Sequence, residues 1–355
     1  MTAIEPFVFP GLRSRVIFGS GAIAQTAAEI EKLGRTRALI LSTPNQKAEA
    51  EALAERVGAL SVGVFAGAAM HTPIEVTETA LAIFQEFRAD CVVALGGGST
   101  TGLGKAIAVR TGADQVVIPT TYAGSEMTDI LGETVHGEKT TRRDPAILPE
   151  TVIYDVDLTM SLPASLTVTS GLNAMAHAAE ALYAPDRNPV ISLVAAEGIR
   201  ALTQALPGVS ADPGDRDART NALYGAWLCG AALGGASMAL HHKLCHTLGG
   251  SFDLPHAETH AVILPHSIGF NAAAAAELLA PVSAALGGSP GVTLFDFAAR
   301  LGAPMKLKEL GLKESDLDRA AEIAVRNPYF NPRPFDRAAI RALLKEAWEG
   351  ARPQH

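Results

Sequence analysis

Four histidines and one asparagine in the C-terminal half have spacings that could build a single polar site. His242 and His256 lie fourteen residues apart, while Asn173 with His177 and His242 with His246 form two i,i+4 pairs. On a helix, each such pair lies on one face. Three imidazoles with a carboxylate would hold a divalent metal, but Asn173 offers only a neutral carboxamide. We therefore predict a functional site at these five residues and expect no metal in it.

A glycine loop marks a second kind of site. The apolar run Cys91–Leu95 leads directly into Gly96, Gly97, Gly98 and Ser99, and a helical stretch follows. Bare backbone N–H groups at a helix start can approach an anion, and the helix dipole favours negative charge there. The spacing is neither a Walker A loop nor a good GxGxxG motif. A tight turn that needs glycine is the alternative, but we predict a cradle for the pyrophosphate of a dinucleotide.

Two further loops follow apolar strands that would end at the same edge of a parallel sheet. Ligands of such sheets bind at that edge, in the crevice at a topological switch point. The predicted cofactor-binding residues in these loops are Ser42, Pro44, Asn45, Thr120, Thr121, Ser125 and Thr128. Thr43 stands where an acid would repel a 2′-phosphate, so NADP is not excluded by charge. The predicted cofactor is NADH or NADPH.

The chain changes character near residue 160. Before it, short apolar strands alternate with helical stretches, which predicts a parallel, Rossmann-like α/β domain over 1–160. After it, strand patterns stop, and Ala- and Leu-rich segments predict an all-helical domain over 161–355. The predicted helical segments are 163–183, 188–206, 216–239, 257–286, 291–302, 314–326 and 335–349.

Composition narrows the class of protein. Of the 355 residues, 48% are apolar and 19% are charged, which favours large buried cores over disorder. The net charge of −8 argues against a nucleic-acid surface, and no apolar run is long enough to predict a membrane span. The start of the chain lacks the pattern of a secretory signal, and an odd trio of cysteines without CxxC spacing favours a reducing compartment, so we expect a cytoplasmic protein.

The motifs together resemble one family. Gly96–Ser99, Pro119-Thr-Thr121, Gly171-Leu-Asn-Ala-Met-Ala-His177, His242-x-x-x-His246 and Pro255-His256 are similar, in order, to the iron-containing (group III) alcohol dehydrogenases. The resemblance implies a dehydroquinate synthase-like fold and places the family's metal-ligand positions at Asn173, His177, His242 and His256. It also implies that His246 matches a histidine used in proton transfer. The family's ligand aspartate is replaced by Asn173.

That replacement, with the segments 122–128 and 241–243, is similar to the maleylacetate reductase branch of the family. The resemblance implies reduction of the carbon–carbon double bond of maleylacetate to 3-oxoadipate with NADH or NADPH, in bacterial degradation of aromatic compounds. The substrate would be a small dicarboxylate. Candidate partners of its carboxylates are Lys139, Arg142, Arg143 and Lys243, although 139–143 could equally be a solvated basic loop. We also expect a homodimer.

Two other functions stay open on the sequence. One is a metal-dependent alcohol or polyol dehydrogenase of the same superfamily that accepts Asn173 as a weak ligand. The other is a nucleotide-binding or sensor protein without catalysis, although the glycine loop and the polar cluster together argue for an enzyme. A lyase related to dehydroquinate synthase is more distant and would need a full set of metal ligands.

Overall fold

The chain forms two compact units. The computed structural model describes residues 6–135, 138–327 and 329–355, and of Glu138 and Lys139 only the backbone. The N-terminal unit is Leu12–Leu162, and the helical unit is Pro163–His355 together with residues 6–11. The predicted class, a parallel α/β unit followed by an all-helical one, is confirmed.

A parallel sheet organises the N-terminal unit. Among the described residues, its six strands are β1 (Arg15–Phe18), β2 (Ala38–Leu41), β3 (Ser61–Phe65), β4 (Cys91–Gly96), β5 (Asp114–Pro119) and β8 (Thr151–Tyr154). They run in the order β1-β8-β5-β4-β2-β3, with every neighbouring pair parallel. The chain moves outward from β2 to β3, then returns to β4 and continues the other way to β5. The switch point is therefore the gap between the ends of β2 and β4.

Helices cover both faces of this sheet. They are α1 (Thr26–Lys32), α2 (Lys47–Val57), α3 (Ile74–Glu86) and α4 (Gly98–Thr111). Because side chains alternate along a strand, Ile40 joins the core with α1 and α2 while its neighbours Leu39 and Leu41 join the core with α3 and α4. Both strand faces are buried, which is why these strands are continuous apolar runs in the sequence.

A small antiparallel hairpin was not predicted. It consists of β6 (Ile130–Val135) and β7 (Glu138–Arg143), paired with Ile130 opposite Arg143. Its second strand consists of charged and hydroxyl residues and contains the segment 139–143, which the sequence analysis considered as a basic loop. The side chains of Arg142 and Arg143 are about half exposed, so this strand needs no apolar residues at those positions.

Among the described residues of the second unit, all regular secondary structure is helical. Its helices are α5 (Ala164–Tyr183), α6 (Pro189–Ala211), α7 (Arg216–Gly235), α8 (Leu240–Phe252), α9 (His256–Asn271), α10 (Ala280–Leu286), α11 (Pro290–Arg300), α12 (Leu317–Ala324) and α13 (Arg337–Glu349). The side chains of Asn188, Asp215 and Asp336 cap α6, α7 and α13. Buried residues of α8, α9, α12 and α13 share one apolar core. α5, which is buried over most of its length, packs against α6, α7 and α9.

The predicted continuous helix over 257–286 is wrong. The structure ends α9 at Asn271 and restarts a helix at Ala280. The side chain of Asn271 exchanges two hydrogen bonds with that of Asn331, at 2.9 and 2.7 Å, and Pro281 cannot donate a backbone hydrogen bond to a preceding turn. The alanine-rich sequence between Asn271 and Pro281 has high helix propensity, but the contact with the distant Asn331 and the proline override it.

No single described helix is both long enough and apolar enough to cross a membrane. One pair, Arg216–Gly235 with Leu240–Phe252, has that length and apolarity only jointly, across a 97° bend.

Candidate active site

The glycine loop closes tightly at the switch point. Gly96 has φ +150°, and a β-carbon there would lie 2.5 Å from the Thr100 Oγ1 atom. Gly97 is the N-cap of α4, and no described side chain caps that helix. A β-carbon on Gly97 would approach Thr121 Oγ1 to 2.9 Å. Glycine is therefore required by conformation at Gly96 and by space at Gly97, and the start of α4, which has no side-chain cap, faces the same loop.

Hydroxyl groups surround this loop. The side-chain oxygens of Ser42, Thr100 and Ser125 are buried and have no hydrogen-bond partner among the described residues. Buried polar atoms are rarely left unpaired in a folded protein, so they indicate where a polar ligand binds. Together with the uncapped helix start, they fit the phosphates and ribose hydroxyls of a dinucleotide. Ser42 and Ser125 belong to the loops for which the sequence predicted cofactor binding.

Gln46 is a residue that the sequence did not single out. Its Nε2 atom donates to Thr120 Oγ1 at 3.1 Å, and its Oε1 atom accepts from Thr43 Oγ1 at 3.3 Å. The loop after β2 is thereby tied to the loop after β5. Pro44 and Asn45, just before it, are exposed. A glutamine two residues after a turn proline has no sequence signature, so this link could be found only in the structure.

Lys105 holds the second predicted cofactor loop. Its fully buried ammonium group donates to the backbone oxygens of Ser125, Thr128 and Ile130 and to Thr128 Oγ1, at 2.6–2.9 Å. Burial lowers the pKa of Lys105 to about 7, although the charges of Glu126 and Asp129 act to raise it. The role of Lys105 is therefore to fix the loop that carries Ser125 and Thr128.

The predicted histidines gather at the contact of α5, α8 and α9. The rings of His177 and His242 stack with their centres 5.0 Å apart, and His246 lies 5.9 Å from His242. The fifth member of the predicted set, His256, is linked to this group through a further ring. Its ring centre lies 4.4 Å from that of His260, which in turn lies 5.2 Å from His242. His260 is thus a member of the cluster that the sequence analysis did not include.

Burial divides the cluster. Asn173, His177 and His242 are 2%, 3% and 6% exposed, whereas His246 and His256 are exposed. Burial, reinforced by the neighbouring imidazoles, holds the pKa of His177 well below its ordinary value, and the same holds for His260. Both rings are therefore neutral near pH 7. Asn173 Oδ1, His177 Nδ1, His242 Nε2 and His260 Nε2 are buried without a hydrogen-bond partner among the described atoms.

Glu180 is the acidic member that the sequence analysis missed. It is fully buried on α5, and its Oε2 atom lies 2.7 Å from His242 Nδ1. Burial acts to raise the pKa of Glu180, but the hydrogen bonds and charge of His242 and two backbone N–H groups lower it below its ordinary value. Its place three residues after His177 on the same helix is a signal that sequence reasoning could have used.

The four positions that the family uses for metal ligands supply three imidazoles and the neutral amide of Asn173, without the family's carboxylate. Among the described His, Cys, Asp and Glu side chains, the group of three or more whose ligand atoms all lie within 4.8 Å of one another is His241, Cys245 and His260. In that trio, His241 Nε2 lies 2.9 Å from His260 Nδ1, a hydrogen bond shorter than the roughly 3.3 Å between two nitrogens on one zinc ion.

The candidate partners of substrate carboxylates are distributed over both units. Arg142 and Arg143, on β7, are about half exposed and already pair with Asp144 at 3.6 Å and Asp129 at 3.2 Å. The side chain of Lys139 lies outside the described residues. Lys243 is partly buried on α8, with its ammonium group 5.9 Å from the centre of the Tyr329 ring. Their role in substrate binding remains a prediction.

Comparison with known proteins gives matches over both units. Residues 13–156 match the iron-containing alcohol dehydrogenase family, and residues 167–348 match the C-terminal domain of the same family. A maleylacetate reductase from Rhizobium sp. (strain MTP-10005) is 61% identical over 99% of this chain and 100% of its own length. One from Burkholderia cepacia is 56% identical over the same shares. The crystal structure of maleylacetate reductase from Agrobacterium tumefaciens, 62% identical, matches with a TM-score of 0.97 over 99% of this chain and 100% of that one.

These matches confirm the resemblance that the motifs predicted, both to the family and to its maleylacetate reductase branch. The first family match falls within the N-terminal unit and the second within the helical unit. The glycine loop lies in the first matched range and the histidine cluster in the second. The chain belongs to the iron-containing alcohol dehydrogenase family.

Proposed function

We propose that this chain is an NAD(P)H-dependent reductase that converts maleylacetate to 3-oxoadipate, a step in bacterial degradation of aromatic compounds. The observation that carries the proposal is the full-length identity of 61% to a maleylacetate reductase. The chemistry of the histidine cluster supports the same reaction.

Reduction of an enone differs from reduction of a simple ketone in where charge develops. Hydride adds to the carbon β to the ketone, the double-bond electrons move toward oxygen, and an enolate forms that takes a proton at the α carbon. An enolate is less basic than an alkoxide, so neutral hydrogen-bond donors can stabilise it. The buried neutral rings of His177 and His260 are donors of that kind.

The cofactor is assigned to the N-terminal unit. When bound, NADH or NADPH supplies the hydride. Gly96–Ser99 and the first turn of α4 would hold its pyrophosphate. The buried hydroxyls of Ser42, Thr100 and Ser125 would form hydrogen bonds with its polar groups. Thr43 places no negative charge beside the adenosine ribose, which leaves both cofactors acceptable.

The reaction is proposed to need no metal. The family is described as iron-containing, but here Asn173 replaces the family's anionic ligand, and the described group of three ligand atoms within 4.8 Å of one another is His241, Cys245 and His260 rather than the family's positions. Asn173 and the rings of His177, His256 and His260 would instead donate hydrogen bonds to the substrate carboxylates and the enolate oxygen. His246, which is exposed and adjacent to His242, is the proposed proton donor or relay.

The test is the disappearance of NADH absorbance with maleylacetate, with the product identified by mass spectrometry and NMR. The proposal predicts 3-oxoadipate, with deuterium from 4-deuterated NADH at the carbon β to the ketone. Deuterium on a carbinol carbon would instead show ketone reduction. If maleylacetate is inert while an alcohol or polyol is oxidised, the chain is an alcohol dehydrogenase. If the protein binds NADH tightly but no substrate causes its oxidation, the chain is a nucleotide-binding protein without catalysis.

A further inference from the structure

Five hydrogen-bond donors surround the carboxylate of Glu180. Its Oε1 atom accepts from the backbone N–H of His241 at 2.7 Å and from the Tyr183 hydroxyl at 3.2 Å. Its Oε2 atom accepts from the backbone N–H of Ala239 at 2.9 Å and lies 2.7 Å from His242 Nδ1, with the His242 backbone N–H at 3.4 Å. The group is fully buried, so it works as a fixed acceptor with both oxygens engaged.

This geometry determines the tautomer of His242. An ionised carboxylate has no proton and can only accept hydrogen bonds, so the 2.7 Å contact requires His242 to donate from Nδ1. The other ring nitrogen, Nε2, is then the bare one in the neutral ring. It is also the buried atom of His242 that has no partner among the described residues.

The same carboxylate caps the N-terminus of α8. Ala239 stands at the N-cap of that helix and has no side chain that could accept a hydrogen bond. The backbone N–H groups that a capping side chain would normally satisfy, in the first turn at His241 and His242, point instead to Glu180. A negative charge at this end of a helix is also favoured by the helix dipole.

We propose that Glu180 is a positioning residue for the reaction proposed above: it fixes the orientation of His242, keeps its proton on Nδ1 and leaves the buried Nε2 atom as a hydrogen-bond acceptor. The expected effect of Glu180 on the rate rests on the proposed function, whereas its hydrogen bonds to α8 and to His242 do not. One carboxylate thus has two separable roles, capping α8 and orienting His242. The experiment must therefore separate loss of the cap from loss of the orientation.

Glu180→Met removes the acceptor while keeping a similar length, and Ala239→Ser offers α8 a local cap. The proposal predicts that Glu180→Met lowers kcat roughly tenfold to a hundredfold while the KM for NADH changes little. Adding Ala239→Ser to Glu180→Met should recover part of the lost thermal stability but not kcat. Ala239→Ser alone is the matched control and should keep wild-type kcat. If the double variant regains wild-type kcat, Glu180 is a cap only and the proposal is overturned.

A spectroscopic measurement tests the tautomer directly and needs no substrate. In protein labelled with ¹⁵N-histidine, with His242 assigned by its absence in His242→Gln, Nδ1 should carry the proton in the wild type. A wild-type His242 protonated on Nε2 alone would overturn the proposal even if Glu180→Met fails to fold. If maleylacetate is inert but His242 shows the Nδ1–H form, the proposed function fails and the orienting role of Glu180 stands.

Discussion

A methyl group at Gly98 should separate cofactor binding from folding. A β-carbon there would lie 3.6 Å from Ala123 Cβ and 3.9 Å from Ser125 Oγ, which are ordinary contacts, so nothing has to move. Gly98 is the first residue of α4, where alanine is favoured over glycine by up to about 1 kcal/mol. The methyl group would nevertheless stand between the glycine loop and the Ser125 hydroxyl, where the dinucleotide phosphates are proposed to lie.

We expect Gly98→Ala to retain or slightly raise the free energy of unfolding and to weaken NADH binding at least about tenfold, or about 1.4 kcal/mol. Calorimetric titration measures the affinity, and urea unfolding measures the stability. Gly104→Ala, in the same helix with β-carbon contacts of 3.5 Å or longer, is the matched control and should leave NADH affinity unchanged. Wild-type NADH affinity in Gly98→Ala would refute the assignment of this loop.

Three further predictions follow from individual side chains. Thr43→Asp should suppress NADPH turnover selectively, because a carboxylate there repels the 2′-phosphate; a wild type that uses NADH alone would contradict our interpretation of this loop. Lys105→Met should raise the KM for NADH about tenfold, because the loop at 125–130 loses its buried hydrogen-bond donor. An unchanged KM would show that this loop keeps its conformation without Lys105. Burial lowers the pKa of His266 to about 4. Below about pH 6.5 the unfolded chain therefore binds a proton at His266 that the folded chain does not, and stability is lost as the pH falls. Relative to His266→Leu, the wild type should lose about 2 kcal/mol of unfolding free energy between about pH 7.5 and about pH 5, measured by urea titration, and parallel pH profiles would contradict this.

The main elements of the fold were predictable because their signals are local. Each strand of the parallel sheet is a short apolar run, most of them buried on both faces, and Gly96 is required by a backbone angle that other residues rarely adopt. The hairpin was missed because β7 is polar and because the buried side of β6 carries Leu131 and Glu133, so neither strand alternates apolar with polar residues. The break after Asn271 was missed because it depends on Asn331, sixty residues away in the chain.

The candidate site was predictable in part for the same reason. The i,i+4 spacing that defined Asn173 with His177 and His242 with His246 is a property of one helix. Glu180 and His260 lie on the same helices as predicted members, at spacings of three and four residues from His177 and His256, and were missed because no motif names them. Their partners, His242 and His241, are on another helix, so only the packed structure shows what each does.

The central claim is that this chain reduces maleylacetate without a metal, and metal removal tests it most directly. Protein should be dialysed against a strong chelator, its residual iron and zinc quantified, and its rate with NADH and maleylacetate compared before and after. Asn173→Asp is the matched variant, because an added carboxylate should increase metal affinity and need not increase the rate. The account predicts a nearly unchanged rate in metal-depleted wild type. Activity that is lost on chelation and restored by stoichiometric Fe²⁺ or Zn²⁺ would contradict it.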